Sequence, residues 1–198
     1  PVPPNNKAFF MLWEQNARLE SYAMGDGPLP EHFEPFESPA DNQMNGSQNS
    51  PCIRFADYES VKRGDRKDYP IAVTTYSVTE QWQTGGQTRS CPALNEAMPQ
   101  QFVEMSRELA EEKGIENGDL VRVFNNRGNV QVHALVTPRF KPFKVNGETV
   151  HQVGMTHHFG WAGEFATGDV VNDLPPNVGD PNCQVPEYKA FLVNIEKA

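Results

Sequence analysis

The sequence predicts a mainly β fold with short helices, and three stretches support that prediction. Residues 102–105 alternate apolar and polar side chains, as a half-buried strand does. Residues 120–124 and 130–136 alternate again on either side of a turn at 125–128, which is typical of a β-hairpin. Residues 71–79 are rich in β-branched and aromatic side chains, which favour a further strand.

A short helix is predicted between the first of these strands and the hairpin. Ser106 stands where a helix N-cap belongs, because its hydroxyl can accept a hydrogen bond from an amide of the next turn. Glu108 places negative charge at the positive end of the helix dipole. Gly114 is expected to end the helix, since glycine adopts a positive φ without a Cβ clash. Strand, helix and hairpin then form one packing unit.

Length and charge limit the classes of protein that the chain can belong to. With 198 residues it can bury one core, so one domain with an extended arm is expected. The net charge of −9 argues against a general nucleic-acid surface, and the basic cluster at 62–67 is diluted by two aspartates. No run approaches the roughly 18 apolar residues of a membrane span. Because residue 1 is proline, we expect a processed chain or a piece of a longer one.

The three cysteines do not predict a metal centre. Cys52, Cys91 and Cys183 are far apart in the sequence and show no C-x-x-C spacing. An iron–sulfur cluster or a structural zinc held by this chain alone is therefore not expected. An odd number leaves at least one thiol unpaired within the chain, and the sequence leaves open whether the other two form a disulfide.

The first third of the chain differs in composition from the rest. Residues 1–51 hold eight of the seventeen prolines, and the proline spacing at 25–39 excludes a regular helix or a central strand. Phe33 and Phe36 favour an arm packed on another surface over a disordered linker. Residues 7–13 could form a strand or core segment, 14–22 one or two helical turns, and 53–58 a short helix or strand.

Two stretches combine the residue types that bind polar ligands. Residues 80–89 crowd hydroxyls, amides, one tryptophan and two glycines into a loop after the strand at 71–79. Glycines allow close backbone approach, and amide side chains both donate and accept, so this loop could cradle a planar polar ligand. Residues 156–163 carry two adjacent histidines, which would point to opposite faces of an extended chain and so would not chelate one metal together.

The remaining segments complete the predicted β domain. A short helix is expected at 95–99, with Leu94 and Met98 in the core. Residues 140–148 form an outer excursion with a turn at Asn146-Gly147, followed by a strand at 148–155. Residues 178–186 are expected to be an irregular loop, and 188–196 a final strand that closes a barrel.

The order of these elements resembles the C-terminal domain of the molybdopterin-dinucleotide oxidoreductases. The resemblance rests on the glycine and hydrophobic pattern of residues 114–137, from Gly114-Ile115 through Gly118-Asp119 to Thr137. Residues 27–35, 74–80 and 186–194 resemble the formate dehydrogenase branch of that family. The resemblance implies a six-stranded double-psi β-barrel, aspartate-decarboxylase-like, at 69–198. Residues 1–68 are then an extended proline-rich arm and linker that packs on the rest of the enzyme.

The same resemblance implies a set of residues that contact the dinucleotide. They lie in the loop after the strand at 71–79, in the histidine stretch, in the segment around Asn172, and at the start of the final strand. The residues carried over are Thr79, Glu80, Gln81, Trp82, Gln83, Thr84, His157, His158, Trp161, Asn172, Tyr188 and Lys189. Family members carry a histidine or tyrosine near the positions held here by Trp82 and Gln83, so this loop departs from the family pattern.

The implied function is the cofactor-binding portion of a formate dehydrogenase that oxidises formate to CO₂, or runs the reverse reaction. The cofactor is a bis(molybdopterin guanine dinucleotide) with Mo or W, and 4Fe-4S clusters lie on other parts of the enzyme. The implied partners are the remainder of the large subunit and an iron–sulfur electron-transfer subunit. The periplasm is favoured over the cytoplasm. No catalytic residue and no metal ligand is assigned to this chain, because it has no match to the family's metal-binding segment.

Alternatives stay open at this point. The same domain could serve another molybdopterin oxidoreductase, of the polysulfide or nitrate reductase type. A double-psi barrel could instead be a protein-recruiting module. From the residues alone, the loop at 80–89 could also be a polar barrel-end loop with no ligand, Asn172 a turn cap, and Lys189 an ordinary edge lysine.

Overall fold

The computed structural model describes residues 32–44, 50–54, 61–160 and 168–198. The secondary structure predicted for 7–13 and 14–22 lies outside these ranges. So do Trp161 and most of the segment predicted at 53–58.

Short strands dominate the described residues. The two α-helices are α1 (Pro92–Ala97) and α2 (Arg107–Lys113), and single 3-10 turns lie at Gln83–Gly85 and Val171–Asp173. The strands are β1 (Ile53–Arg54), β2 (Ile71–Tyr76), β3 (Phe102–Met105), β4 (Leu120–Phe124), β5 (Asn129–Val136), β6 (Phe143–Val145), β7 (Glu148–Thr156), β8 (Val178–Gly179) and β9 (Phe191–Lys197). The sequence prediction of a mainly β fold with short helices is confirmed.

Six strands close into a barrel in the order β2, β9, β4, β5, β3, β7. Strand β7 returns to β2 in parallel, with Ile71 opposite His151 and Tyr76 opposite Thr156. A second parallel pair joins β3 to β5, while the remaining neighbours in the ring are antiparallel. Strand β6 extends the sheet beyond β7, and β1 pairs separately with β8. Closure leaves the barrel strands without a free edge.

The period-2 alternation of the sequence explains the barrel core. Strand β2 alternates buried and half-buried residues along its whole length, and β4 and β5 bury every second residue. The side chains that alternate inward are small or β-branched, which suits the interior of a narrow barrel. The core consists mainly of Ile71, Val73, Val103, Met105, Val121, Val123, Val130, Val132, Val153, Met155, Phe191, Val193 and Ile195.

Helix α2 forms as its capping residues predict. The Leu109 N–H donates to Ser106 Oγ at 3.1 Å, which satisfies one of the amides left free by the first turn. Gly114 ends the helix at φ 65°, a conformation that costs glycine little. Leu109 and Ala110 are buried against the barrel.

The position predicted for the other helix is wrong. Helix α1 runs over Pro92–Ala97 instead of 95–99, and Pro92 occupies the first helical position, where its missing N–H costs nothing. Because the helix lies on the outside of the barrel, Leu94 and Met98 are half-buried rather than core residues. Proline at the start of a helix was the signal that would have placed the boundary.

One further boundary changes, and two of the predicted irregular segments contain short strands. The final strand begins at Phe191 instead of 188, because pairing with β2 starts at Val73 opposite Phe191. The outer excursion at 140–148 contains β6, which pairs with β7 across a turn with Asn146 at φ 51° and Gly147 at φ 82°. The segment at 178–186 is a loop that includes the two-residue strand β8.

A buried carboxylate ties residues 32–44 to the barrel. Glu37 accepts hydrogen bonds from the Gly64 N–H at 2.5 Å and the Leu192 N–H at 2.9 Å. It also forms a two-pronged ion pair with Arg127, which lies in the turn between β4 and β5.

The division of the chain into an arm at 1–68 and a barrel at 69–198 stays a prediction, because nothing tests that boundary. Within the described residues, no helix is long and apolar enough to cross a membrane.

Candidate functional site

A pocket of about 200 Å³ lies where three segments meet beside the end of β7, and we call it the polar pocket for its arginine, histidine and asparagine side chains. The loop after β2 supplies one wall, the residues directly after β7 a second, and the 3-10 turn at Val171–Asp173 a third. The lining combines one cation, one histidine, one amide, one hydroxyl and two glycines with two apolar side chains. Its residues are Thr84, Gly86, Arg89, His157, Phe159, Gly160, Val170 and Asn172.

The loop after β2 has an unusual backbone where it meets the pocket. Gln83 and Thr84 have φ of 45° and 44°, and Gly85 follows at 81°. A β-branched residue in the left-handed region is an outlier, and such conformations concentrate at ligand sites. A Cβ atom at Gly85 would lie 2.8 Å from Arg89 Nε, so glycine is required for Arg89 to pack against the loop.

Gln81 braces this loop from inside. Its side chain is buried, and its Oε1 accepts the Thr88 hydroxyl at 2.7 Å. Thr88 Oγ1 in turn accepts the Trp82 N–H at 3.0 Å, and the Asn95 amide donates to the Arg89 carbonyl. These bonds join the two ends of the loop. The loop therefore presents Thr84, Gly86 and Arg89 to the pocket on a fixed backbone.

The two adjacent histidines stack on each other. Strand β7 ends at Thr156 and the chain bends, so the rings of His157 and His158 lie 4.4 Å apart at 36°. The expectation that they point to opposite faces is wrong, because it assumed that the strand continues. His157 lines the pocket, and His158 lies fully buried behind it.

Both histidines are neutral at neutral pH. Burial, followed by the neighbouring His157 and Arg89, lowers the pKa of His158 from 6.5 to about 4. The pKa of His157 is also lowered, first by burial and then by the positive charge of Lys189, against a hydrogen bond with the Tyr76 backbone. The positive charge near the pocket therefore comes from Arg89 and Lys189, while the imidazoles offer neutral donors and acceptors.

The structure separates several of the other predicted site residues from this pocket. Thr79 and Glu80 line a neighbouring pocket of about 410 Å³, together with Tyr76, Glu104 and Arg139. Trp82 is 61% exposed and does not line the polar pocket.

Other predicted site residues make contacts around the pocket rather than in its lining. Gln83 shapes the loop backbone, and Lys189 Nζ donates to the Thr75 carbonyl. Tyr188 is partly exposed, and its carbonyl accepts the Thr75 hydroxyl at 3.1 Å. Of the predicted residues, Thr84, His157 and Asn172 come together, with His158 directly behind them.

Arg89 was missed as a site residue, although it stands inside the predicted loop. Burial lowers the pKa of its guanidinium, an indication that this cation is partly removed from water. The available signal was a single arginine following a polar, glycine-rich loop in an acidic chain. Such a residue is suited to a ligand that carries phosphate.

The described residues contain no group of three His, Cys, Asp or Glu side chains placed to hold a metal ion. No disulfide joins Cys52, Cys91 and Cys183, all three of which lie in the described part of the chain. This answers the question, left open by the sequence, whether two of the three cysteines form a disulfide.

A closed β-barrel with a polar pocket beside its strand ends defines a ligand-binding domain. The family described as the molydopterin dinucleotide binding domain matches residues 71–192 of this chain. That match includes every residue that lines the polar pocket. The chain therefore belongs to the molydopterin dinucleotide binding domain family.

Several relatives are similar over nearly the whole chain. The formate dehydrogenase subunit alpha of Megalodesulfovibrio gigas is 44% identical over 100% of this chain and 20% of its own length. The formate dehydrogenase 2 subunit alpha (cytochrome c-553) of Nitratidesulfovibrio vulgaris is 48% identical over 96% of the chain and 19% of its length. The nitrate-inducible formate dehydrogenase major subunit of Escherichia coli is 45% identical with the same coverage. The chain thus spans about a fifth of the length of these relatives.

Among solved structures, the acetylene hydratase of Pelobacter acetylenicus has a similar fold. The TM-score is 0.54 at 15% identity, over 87% of this chain and 22% of that protein. At this identity the likeness supports the fold alone. It agrees with the double-psi barrel expected from the sequence.

The pocket residues fit one end of a pterin dinucleotide. Arg89 can pair with a pyrophosphate oxygen, and Asn172 can donate to and accept from the edge of a heterocycle. No heavy atom lies within 4 Å of the position of a Cβ on Gly86, so a ligand can approach the backbone there. The volume is too small for a whole dinucleotide, since pockets for such ligands measure roughly 300–1,000 Å³. The rest of the ligand must contact other surfaces.

Proposed function

We propose that this chain is the cofactor-binding portion of the large subunit of a formate dehydrogenase, and that it holds part of a bis(molybdopterin guanine dinucleotide). The observation that carries the proposal is that all the pocket-lining residues fall inside the matched family region. The branch is supported by identities of 44–48% over at least 96% of the chain to relatives named formate dehydrogenase.

Each pocket residue makes a different kind of contact with the ligand. The Arg89 guanidinium neutralises phosphate charge with charge-assisted hydrogen bonds, which a chain of net charge −9 cannot do by its overall field. The Asn172 amide reads the edge of the heterocycle, because it both donates and accepts. Neutral His157 adds a hydrogen-bonding face without adding charge. Thr84 offers a hydroxyl at the tip of the braced loop.

The remaining predicted contacts surround this pocket. Thr79 and Glu80 lie where the loop leaves β2, and Trp82 and Gln83 lie near its tip. Tyr188 and Lys189 precede β9 and are linked to β2 through Thr75. We assign Gln81 an indirect role, since its amide is used in bracing the loop. Trp161 completes the proposed set.

Formate oxidation belongs to the metal that the cofactor carries when bound, Mo or W. This chain supplies binding and orientation: it excludes water from one end of the ligand and fixes hydrogen bonds to it. The remainder of the large subunit, 4Fe-4S clusters outside this chain and an iron–sulfur subunit complete the proposed enzyme. We place it in the periplasm of a bacterium or archaeon.

The binding proposal is tested by measuring pterin content in the complete purified enzyme. Acid oxidation releases fluorescent pterin, and we expect a signal from the wild type. Arg89→Met and Asn172→Ala should lower pterin retention after dilution, by about tenfold for Arg89 if one charge-assisted bond of roughly 1.5 kcal/mol is lost. Arg122→Met is the matched control, since Arg122 is a partly exposed arginine on β4 that pairs with Glu196.

Two outcomes would contradict the proposal. One is the absence of pterin from the wild-type enzyme. The other is equal pterin retention in Arg89→Met, Asn172→Ala and Arg122→Met.

Substrate class is tested separately, by reduction of an artificial electron acceptor with formate, compared with nitrate or polysulfide turnover. Preference for nitrate or polysulfide would assign the domain to another oxidoreductase that uses the same cofactor.

A further inference from the structure

His158 is a buried polar residue beside the pocket, and none of the ligand contacts proposed above uses it. It follows β7 by two residues, and its side chain is fully shielded from water. Its ring stacks on His157, which does line the pocket. A fully buried imidazole has to be explained by the bonds that it makes, because burial of a polar group is costly.

One ring nitrogen of His158 has a defined partner. The Val78 N–H donates to His158 Nε2 at 3.1 Å, so Nε2 must be an unprotonated acceptor. The proton of the neutral ring is therefore on Nδ1. Nδ1 has no hydrogen-bond partner among the residues that the structure describes. The bond from the Val78 N–H therefore forms only when the His158 ring is neutral and carries its proton on Nδ1.

The groups that face His158 all oppose a positive charge on it. Burial is the largest cause of its lowered pKa, followed by the His157 ring and the Arg89 guanidinium. Lys189 acts in the same sense on His157. Among the described residues, no carboxylate contributes to the pKa shift of either histidine. His158 is thus held neutral, in the state that accepts from Val78.

Val78 lies at the root of the loop that forms one wall of the pocket. Strand β2 ends at Tyr76, and the loop that follows delivers Thr84 and Arg89. The bond from Val78 to His158 joins this root to the segment after β7, which delivers His157. It therefore connects two of the three walls of the pocket.

We propose that His158 is a positioning residue that holds the loop after β2 in its ligand-binding position by accepting the Val78 N–H on neutral Nε2. Acid weakens this hold, because the protonated ring has two donors and no acceptor. The link to pterin retention rests on the proposed function, whereas the link to loop order does not.

The test uses two variants of the complete enzyme that differ in one property. His158→Gln keeps an acceptor oxygen at about the reach of Nε2, and His158→Met has similar length without an acceptor. His151→Gln is the control, because His151 lies on β7, outside the pocket, and bonds Glu112. Two quantities are measured: hydrogen exchange of the Val78 amide, corrected for intrinsic rate, and pterin content.

We expect protection of the Val78 amide to fall about tenfold in His158→Met, the loss expected from one buried hydrogen bond. Protection should be restored in His158→Gln and unchanged in His151→Gln. Pterin content should follow the same order. Unchanged Val78 protection in His158→Met, or equal loss in the methionine and glutamine variants, would overturn the proposal.

The dependence on pH gives a readout that a purely structural role would not produce. The pKa of His158 is lowered in the folded chain, so opening of the loop takes up a proton between pH 6.5 and about 4. In the wild type, Val78 protection should therefore fall as pH decreases through that window. His158→Gln cannot titrate and should show no such fall, and a parallel fall in both proteins would contradict the proposal. Loss of the proposed function itself would appear separately, as wild-type enzyme without pterin.

Discussion

Buried polar side chains in this protein fall into two groups that differ in how fully their hydrogen bonds are satisfied. Glu104 on β3 accepts from Tyr76, Thr137 and Arg139, and Glu37 accepts from two backbone amides and Arg127. His158, equally buried, has one bonded nitrogen and one without a partner among the described residues. The difference indicates that the carboxylates hold the fold together, whereas the histidine makes one bond to the loop beside the pocket.

The largest effect on stability is expected from breaking the fully satisfied group at Glu37. Glu37→Gln leaves the Arg127 guanidinium, whose side chain is 9% exposed, without its counter-charge. Removal of one partner of a buried ion pair costs about 3–5 kcal/mol. Urea unfolding followed by circular dichroism measures the change in free energy of unfolding. A loss below about 1 kcal/mol is the range of exposed ion pairs and would contradict the expected cost of breaking the Glu37–Arg127 pair.

A smaller effect is expected at Glu104, and it should depend on pH. Burial alone would raise the pKa of Glu104, but hydrogen bonds from Arg139, Tyr76 and Thr137 outweigh it and bring the pKa below 4.5. The ionised form therefore adds stability above pH 4.5, which is lost as pH falls through the lowered pKa.

Glu104→Gln should cost about 1–2 kcal/mol at neutral pH, since Arg139 is 65% exposed and its share is screened. Unfolding free energies measured from pH 6 down to about pH 2 should decline less steeply in Glu104→Gln than in the wild type. Equal slopes for the two proteins would show that Glu104 does not carry the effect. His158→Met provides a contrast to Glu104→Gln, because it is expected to loosen the loop after β2.

The smallest effect is expected at an exposed ion pair. Arg122 and Glu196 lie 2.6 Å apart on neighbouring strands, with side chains 41% and 50% exposed. Glu196→Gln should change the free energy of unfolding by less than about 0.5 kcal/mol, because water and salt screen the pair. The same urea titration checks it. A loss as large as that of Glu37→Gln would show that burial does not explain the difference between the two ion pairs.

The sequence predicted the barrel well where one face of a strand is buried. The alternation at 71–76 and 120–136 requires a side-chain period of two, and a shift of one residue would place polar groups in the core. Strand β3 departs from the predicted half-buried pattern, because it buries three of its four residues, including Glu104. Helix α2 was predicted in full because its cap and its glycine are local signals. The resemblance to a known family supplied the closed six-stranded barrel, which alternation does not contain.

Predictions failed where tertiary contacts decide the outcome. The start of β9 depends on which residue of β2 it meets, and that register is not visible in the residues 188–190 themselves. The stacking of His157 on His158 depends on a bend after Thr156. The inward turn of Gln81 depends on Thr88, seven positions along the chain in a loop without a period. In each case the sequence predicted a simpler geometry than the structure shows.

The parallel pairing of β2 with β7 has a consequence for the order of folding. Ile71 meets His151, so the ring cannot close until distant parts of the chain have come together, whereas the β4–β5 hairpin can form locally. The polar pocket draws on the segments that follow these two late-meeting strands. We therefore expect the chain to acquire its barrel first and its ligand afterwards, so that loading acts on a nearly finished protein.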